Sequence, residues 1–132
     1  MSTIDDLDFG KELKGKTLVT ITKAVSEDEI IFTTSDGHSY KLYHDQSCCE
    51  SVTIEDICGD FSDLLHAPLL EVEESVSEGE TPEGVPTPEY QDESFTWTFY
   101  KLSTIKGSVT IRWYGESNGY YSESVDFVKI TE

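Results

Sequence analysis

Between Leu42 and Tyr100 the chain carries 15 Asp and Glu residues and not one Lys or Arg. No fold can neutralise that span from within. Its carboxylates must stay at the surface while its apolar residues find a core beneath them. All nine basic residues lie to either side, from Lys11 to Lys41 and from Lys101 to Lys129, with the other 12 acidic residues. The middle therefore holds −15 of a total charge of −18, and a negative field must project from that part of the surface. Such a field serves solubility, or it meets a basic partner.

Charge does not prevent folding here. Hydrophobic residues make up 36% of the 132 and aromatic ones 11%, enough for a core and too many for a disordered chain. Two domains would each be marginal in size, so residues 1–132 read as one domain. A chain this acidic repels phosphate and offers no basic patch, which argues against direct contact with nucleic acid. No apolar run reaches membrane-spanning length, and the N-terminus is acidic rather than a secretory signal. The expected location is the cytoplasm.

Period-2 patterning dominates the chain. Residues 17–22 and 29–34 are rich in β-branched residues and read as strands. Asp36-Gly37 supplies a tight turn, and His38, Tyr40, Leu42 and His44 then fall on one face of a third strand. Residues 2–14 have little apolar period and read as a short helix or loose lead-in. Thr53, with Asp56 three positions on, resembles a capping box, and Gly59 can end the short helix it would start. Asp60 to Leu65 reads as a further turn before Pro68. Ile54, Ile57, Phe61, Leu64 and Leu65 sit at helical spacing and are expected to face the sheet.

Residues 69–76 read as a strand with its acidic side chains outward. An acidic, Pro-rich loop follows at about 77–92, expected to be flexible. Phe95, Trp97 and Phe99 alternate with Thr96, Thr98 and Tyr100, and Val109, Ile111 and Trp113 mark the apolar side of the next strand after a turn at Lys106-Gly107. Residues 120–130 are expected to complete a three-stranded C-terminal meander, with Trp97 and Trp113 buried on a shared face. The class is α+β: mostly antiparallel sheet, with one or two short helices between an N-terminal and a C-terminal meander.

Two segments carry a resemblance. His44-Asp45-Gln46-Ser47-Cys48-Cys49-Glu50-Ser51-Val52, followed by Ile54-Glu55-Asp56-Ile57-Cys58-Gly59-Asp60, is one. Trp97-Thr98-Phe99-Tyr100, leading to Arg112-Trp113-Tyr114-Gly115 and Ser117-Asn118-Gly119-Tyr120-Tyr121-Ser122, is the other. Together they resemble a group of small bacteriophage-encoded proteins, over about residues 40–127. The resemblance implies a viral origin and a role inside an infected bacterium, and it carries over no activity and no functional residue.

The densest group of reactive side chains is His44, Asp45, Gln46, Cys48, Cys49 and Glu50. With Cys58, these have the residue types of a metal site but not the spacing, since vicinal cysteines fit poorly on one tetrahedral ion. A thiol nucleophile at Cys48 or Cys49 would be disfavoured by the carboxylates around it, and space-filling buried cysteines are the simpler reading. Structural disulfides are not expected of a cytosolic product. The second candidate surface is the loop from Glu116 to Tyr121, in which Asn118, Tyr120 and Tyr121 have the chemistry of a recognition patch. No phosphate-binding loop, serine triad or dinucleotide fingerprint is present, so neither a catalytic residue nor a cofactor is assigned.

The leading expectation is a non-enzymatic phage accessory protein. It would bind and inhibit a bacterial host protein with a basic surface, possessing the charge to compete with nucleic acid or to block a defence protein. Its contacts would come from His44, Asp45, Gln46, Cys49 and Glu50, from Glu71, Glu73 and Glu74, and from Asn118, Tyr120 and Tyr121. The alternative is a small-ligand or nucleotide binder with the 44–50 and 118–121 loops as two walls of one pocket. A metal-dependent or thiol enzyme ranks third.

Overall fold

Two four-stranded antiparallel sheets share one core in the computed structural model, which describes residues 8–23, 28–45, 49–78, 94–117 and 122–130. The first sheet joins β1 (Leu18–Lys23), β2 (Ile30–Thr34), β3 (Ser39–Tyr43) and β8 (Asp126–Lys129) in that order. The second joins β4 (Ser51–Cys58), β7 (Gly107–Ser117), β6 (Ser94–Thr104) and β5 (Glu71–Glu78). The strands at 17–22, 29–34, 38–44 and 69–76 lie where the patterning puts them, and the hairpin at Lys106-Gly107 joins β6 to β7. β5 runs through Glu78, so the expected loop begins later than residue 77; residues 79–93 lie outside the described residues.

Helical content, among the described residues, is the single turn α1 (Phe9–Leu13) and a 3-10 turn at Phe61–Leu64. A helix of one turn does not stand alone in water. Asp8 caps it by accepting a hydrogen bond from the Lys11 amide at 3.0 Å, and Phe9 and Leu13, four positions apart, both enter the core. Full burial of such a side chain is worth about 1.5–3 kcal/mol. The Phe9 ring meets Phe32 of β2 and Phe127 of β8 in one sheet and Tyr100 of β6 in the other, so α1 plugs the space between them.

Three expectations are corrected. The helix expected from Thr53 is strand β4, antiparallel to β7. A β-bulge between Ile54 and Asp56 inserts one extra residue, so Ile54 opposes Trp113 and Ile57 opposes Ile111 on the same face. An i, i+3 spacing that reads as helical is thus produced by a strand with a bulge. The Asp28 carboxylate accepts from the Ile54 amide at 2.9 Å beside the irregularity, and Gly59 (φ 111°) ends a strand rather than a helix.

The face of β6 is also inverted. Thr96, Thr98, Tyr100 and Leu102 oppose Gly115, Trp113, Ile111 and Val109, and it is this row that faces the core. Trp97 opposes Tyr114 on the outer side yet is only 1% exposed. Its ring lies 4.6 Å from that of Tyr114, with the Arg112 guanidinium 5.8 Å from its centroid. Both tryptophans are buried on neighbouring strands, but they do not share a face.

The third correction concerns β8. It leaves the second sheet and pairs with β3, Phe127 opposite Leu42, so the expected C-terminal meander is not formed. The Phe127 ring stacks on Tyr40, 5.3 Å away, and this aromatic contact fixes β8 to the first sheet.

Candidate functional site

His44 follows β3 in phase with Tyr40 and Leu42 and so points inward; its side chain is 4% exposed. Nδ1 lies 2.7 Å from the carbonyl oxygen of Ser124, which only accepts, so Nδ1 carries a hydrogen. Nε2 lies 2.7 Å from Oε2 of Glu50, whose side chain is fully buried, and one proton bridges imidazole and carboxyl there. The Asp45 amide donates to Asp126 Oδ2 at 2.9 Å. His44, Asp45 and Glu50 therefore tie the ends of β3 and β4 to the segment that leads into β8. Their observed contacts are internal ones.

That segment, Ser122–Val125, passes close over the inner face of β7 at Gly115. A Cβ built there would lie 2.8 Å from the Glu123 carbonyl oxygen and 3.0 Å from its Cβ, an approach that only glycine permits. Glu123 is consequently drawn onto the sheet, where it is 9% exposed. Its Oε1 accepts from the Thr96 hydroxyl at 2.7 Å and its Oε2 from the Ser117 hydroxyl at 2.5 Å. Thr96 and Ser117 project inward because they share the core phase of β6 and β7.

Beyond Glu123 a cleft of about 640 Å³ opens between this segment and the inner side of β5 and β6. Thr96, Thr98 and Glu123 contribute to its lining, with Val76, Phe95 and Val125 as apolar parts and Glu74 and Glu78 on β5. Glu74 accepts from the Tyr100 hydroxyl at 2.6 Å. Among the described residues the lining includes no Lys, Arg or His.

The acidic residues singled out on β5 divide between two sides. Glu71 and Glu73 oppose Ser103 and Lys101 on the outer side; Glu74 opposes Tyr100 on the inner side, at the cleft. Gln46, Cys48, Asn118, Tyr120 and Tyr121 lie outside the described residues. The cysteines depart from the buried, unpaired reading. Cys49 is exposed and disulfide-bonded, while Cys58 is an exposed free thiol. Cys58 donates to Asp56 Oδ2 at 3.3 Å, and that hydrogen bond together with the Asp56 charge pushes the thiol pKa up. Among the described residues no group of three or more His, Cys, Asp or Glu side chains is placed to hold a metal ion.

Glu123 and its hydroxyl partners were not singled out in the sequence. Residues 120–130 read as a strand, in which a lone Glu between serines carries no sign of burial, and only the Gly115 contact reveals why it is buried. Among the described residues no helix is long and apolar enough to cross a membrane. Fold and site together define a small two-sheet antiparallel protein with a buried-carboxylate cleft at one end of its second sheet. The chain belongs to the family described as Domain of unknown function (DUF7448), whose model matches residues 11–127. No curated protein and no solved structure matches it.

Proposed function

We propose that this chain is a non-catalytic binding protein that engages a basic partner protein through strand β5 and the cleft beside it. The observation that carries this reading is the charge of β5: four carboxylates in eight residues, no basic residue, and both sides of the strand acidic. Exposed charge of one sign accelerates encounter with a partner of the other sign and selects against like-charged competitors. Following the resemblance read in the sequence, the proposed setting is a phage-infected bacterium, with a host protein as the partner and its inhibition as the outcome. As architecture we read the chain as α+β, because α1 closes the space between the sheets.

A second reading, a small-ligand binder, is favoured by the cleft itself. Its walls are β5, β6 and Ser122–Val125, whereas His44, Asp45 and Glu50 do not line it.

Capture from bacterial lysate followed by association kinetics tests the first reading. The captured protein is expected to be basic, its on-rate falling steeply as salt rises to about 0.15 M, where the Debye length is about 8 Å. Glu71→Lys with Glu73→Lys is expected to slow association further. Binding indifferent to both salt and these reversals would overturn the reading.

A further inference from the structure

We propose that the cleft is a binding site for a primary ammonium group on an aliphatic chain, anchored on Glu123. Where the ammonium is a lysine of a protein partner, the inference rests on the basic-partner reading above; the cleft chemistry does not.

Three cationic side chains make ion pairs among the described residues: Lys16 with Asp36, Lys41 with Glu29, and Arg112 with Glu55 and Asp56. Glu123 is nine-tenths buried, and its partners among the described residues are two neutral hydroxyls, Thr96 and Ser117. A buried carboxylate is stabilised far better by a cation than by hydroxyls alone. Two hydroxyl donors leave acceptor capacity on both oxygens, since a carboxylate accepts at about four positions. That capacity borders a cleft whose volume of about 640 Å³ falls in the range of small-ligand sites.

The form of the cation follows from the same contacts. Thr96 and Ser117 each take one acceptor position of Glu123, which leaves about two of its roughly four, fewer than the five donors of a guanidinium would need on leaving water. An ammonium is a compact point charge with fewer donors. Val76, 54% exposed, and Val125 give its methylene stem apolar surface to cover. Glu74 and Glu78 on β5 add long-range attraction at the rim.

The test titrates the full chain with cadaverine and, separately, with a lysine-rich hexapeptide, read by amide shifts in a 1H–15N spectrum. Saturable shifts are expected at Thr96, Thr98 and residues 122–125. Glu123→Gln is expected to weaken both probes by more than about tenfold, as removal of one partner of a buried charge pair does. Glu74→Gln with Glu78→Gln leaves Glu123 untouched and keeps an amide oxygen to accept from the Tyr100 hydroxyl; it is expected to weaken them several-fold and decides the matter if Glu123→Gln fails to fold. Tighter binding of the hexapeptide assigns the ammonium to a protein partner, and tighter binding of cadaverine to a free diamine. Absence of saturable binding by either probe overturns the proposal, as do variants that bind like the parent. If Glu71→Lys with Glu73→Lys abolishes partner association while the cleft variants leave it intact, the partner reading stands and the ammonium in the cleft is a free amine rather than a lysine of the partner. The reverse pattern keeps the cleft and removes the β5 surface.

Discussion

Gly115 lies directly beneath Glu123: a Cβ on the glycine would stand 2.8 Å from the Glu123 carbonyl oxygen. The absence of a side chain on β7 is what allows the segment before β8 to sit against the second sheet, and so what buries Glu123 at the edge of the cleft. Gly115→Ala is expected to destabilise the fold by about 1–3 kcal/mol through overpacking. It should also shift the Thr96 and Glu123 amide resonances, because the segment must lift. Unchanged stability together with unchanged resonances would contradict the contact.

The His44–Glu50 pair is buried on both sides and joins β3 to β4. Removing one partner strands the other, so Glu50→Ala is expected to cost about 3–5 kcal/mol. Glu50→Gln can turn its amide N–H towards Nε2, which accepts when Nδ1 carries the ring hydrogen, and is expected to cost distinctly less. Denaturant melts of the two variants check the ordering; equal losses would mean that the proton between the groups, rather than the shape of the side chain, holds the pair together.

Trp113 is fully buried, and its indole N–H has no hydrogen-bond partner among the described residues. Trp113→Ala is expected to cost about 3–5 kcal/mol. Trp113→Phe should cost much less, because it discards an unsatisfied buried donor while keeping most of the ring volume. A phenylalanine variant as unstable as the alanine one would place a partner on that N–H.

Asp36 sits in the turn between β2 and β3. Its hydrogen bond from Lys16, then that from Thr34, lowers its pKa from 3.8 to about 2. A carboxyl depressed on folding stabilises the folded state above its unfolded pKa and loses that contribution as pH falls towards the folded one. The window is thus pH 4 down to 2. Asp36→Asn is expected to flatten the stability profile in that window and leave its shape near neutrality unchanged. The group is fully exposed, so the effect is small and shrinks as salt is added. A profile steepened by the substitution would refute the pairing with Lys16.

The strands whose two faces differ in polarity were the legible part of this fold. In β7, Val109, Ile111 and Trp113 alternate with Ser108, Thr110 and Arg112, and the core side follows directly. β6 hid its orientation because both sides are apolar, with Trp97 buried outside and Tyr100 and Leu102 inside. β4 imitated a helix because its bulge restored Ile54 and Ile57 to one side three positions apart. At the site, His44 and Glu50 were singled out for their chemistry but turn out to brace the segment that walls the cleft. Glu123 depends on a glycine eight positions earlier, and β8 on a partner in the other sheet, neither of which local patterning encodes.

The exchange of β8 between sheets also bears on the order of folding. All four strands of the second sheet lie within residues 51–117, so that sheet can assemble from one continuous stretch. The first sheet cannot: Phe127 must find Leu42, 85 positions earlier, after the whole of the other sheet has been laid down between them. Closing so long a loop is entropically slow and is rewarded only once strand pairing begins. Docking of β8 is therefore expected to be the last step, and until it occurs β3 presents an unpaired edge on which two chains can exchange their final strands.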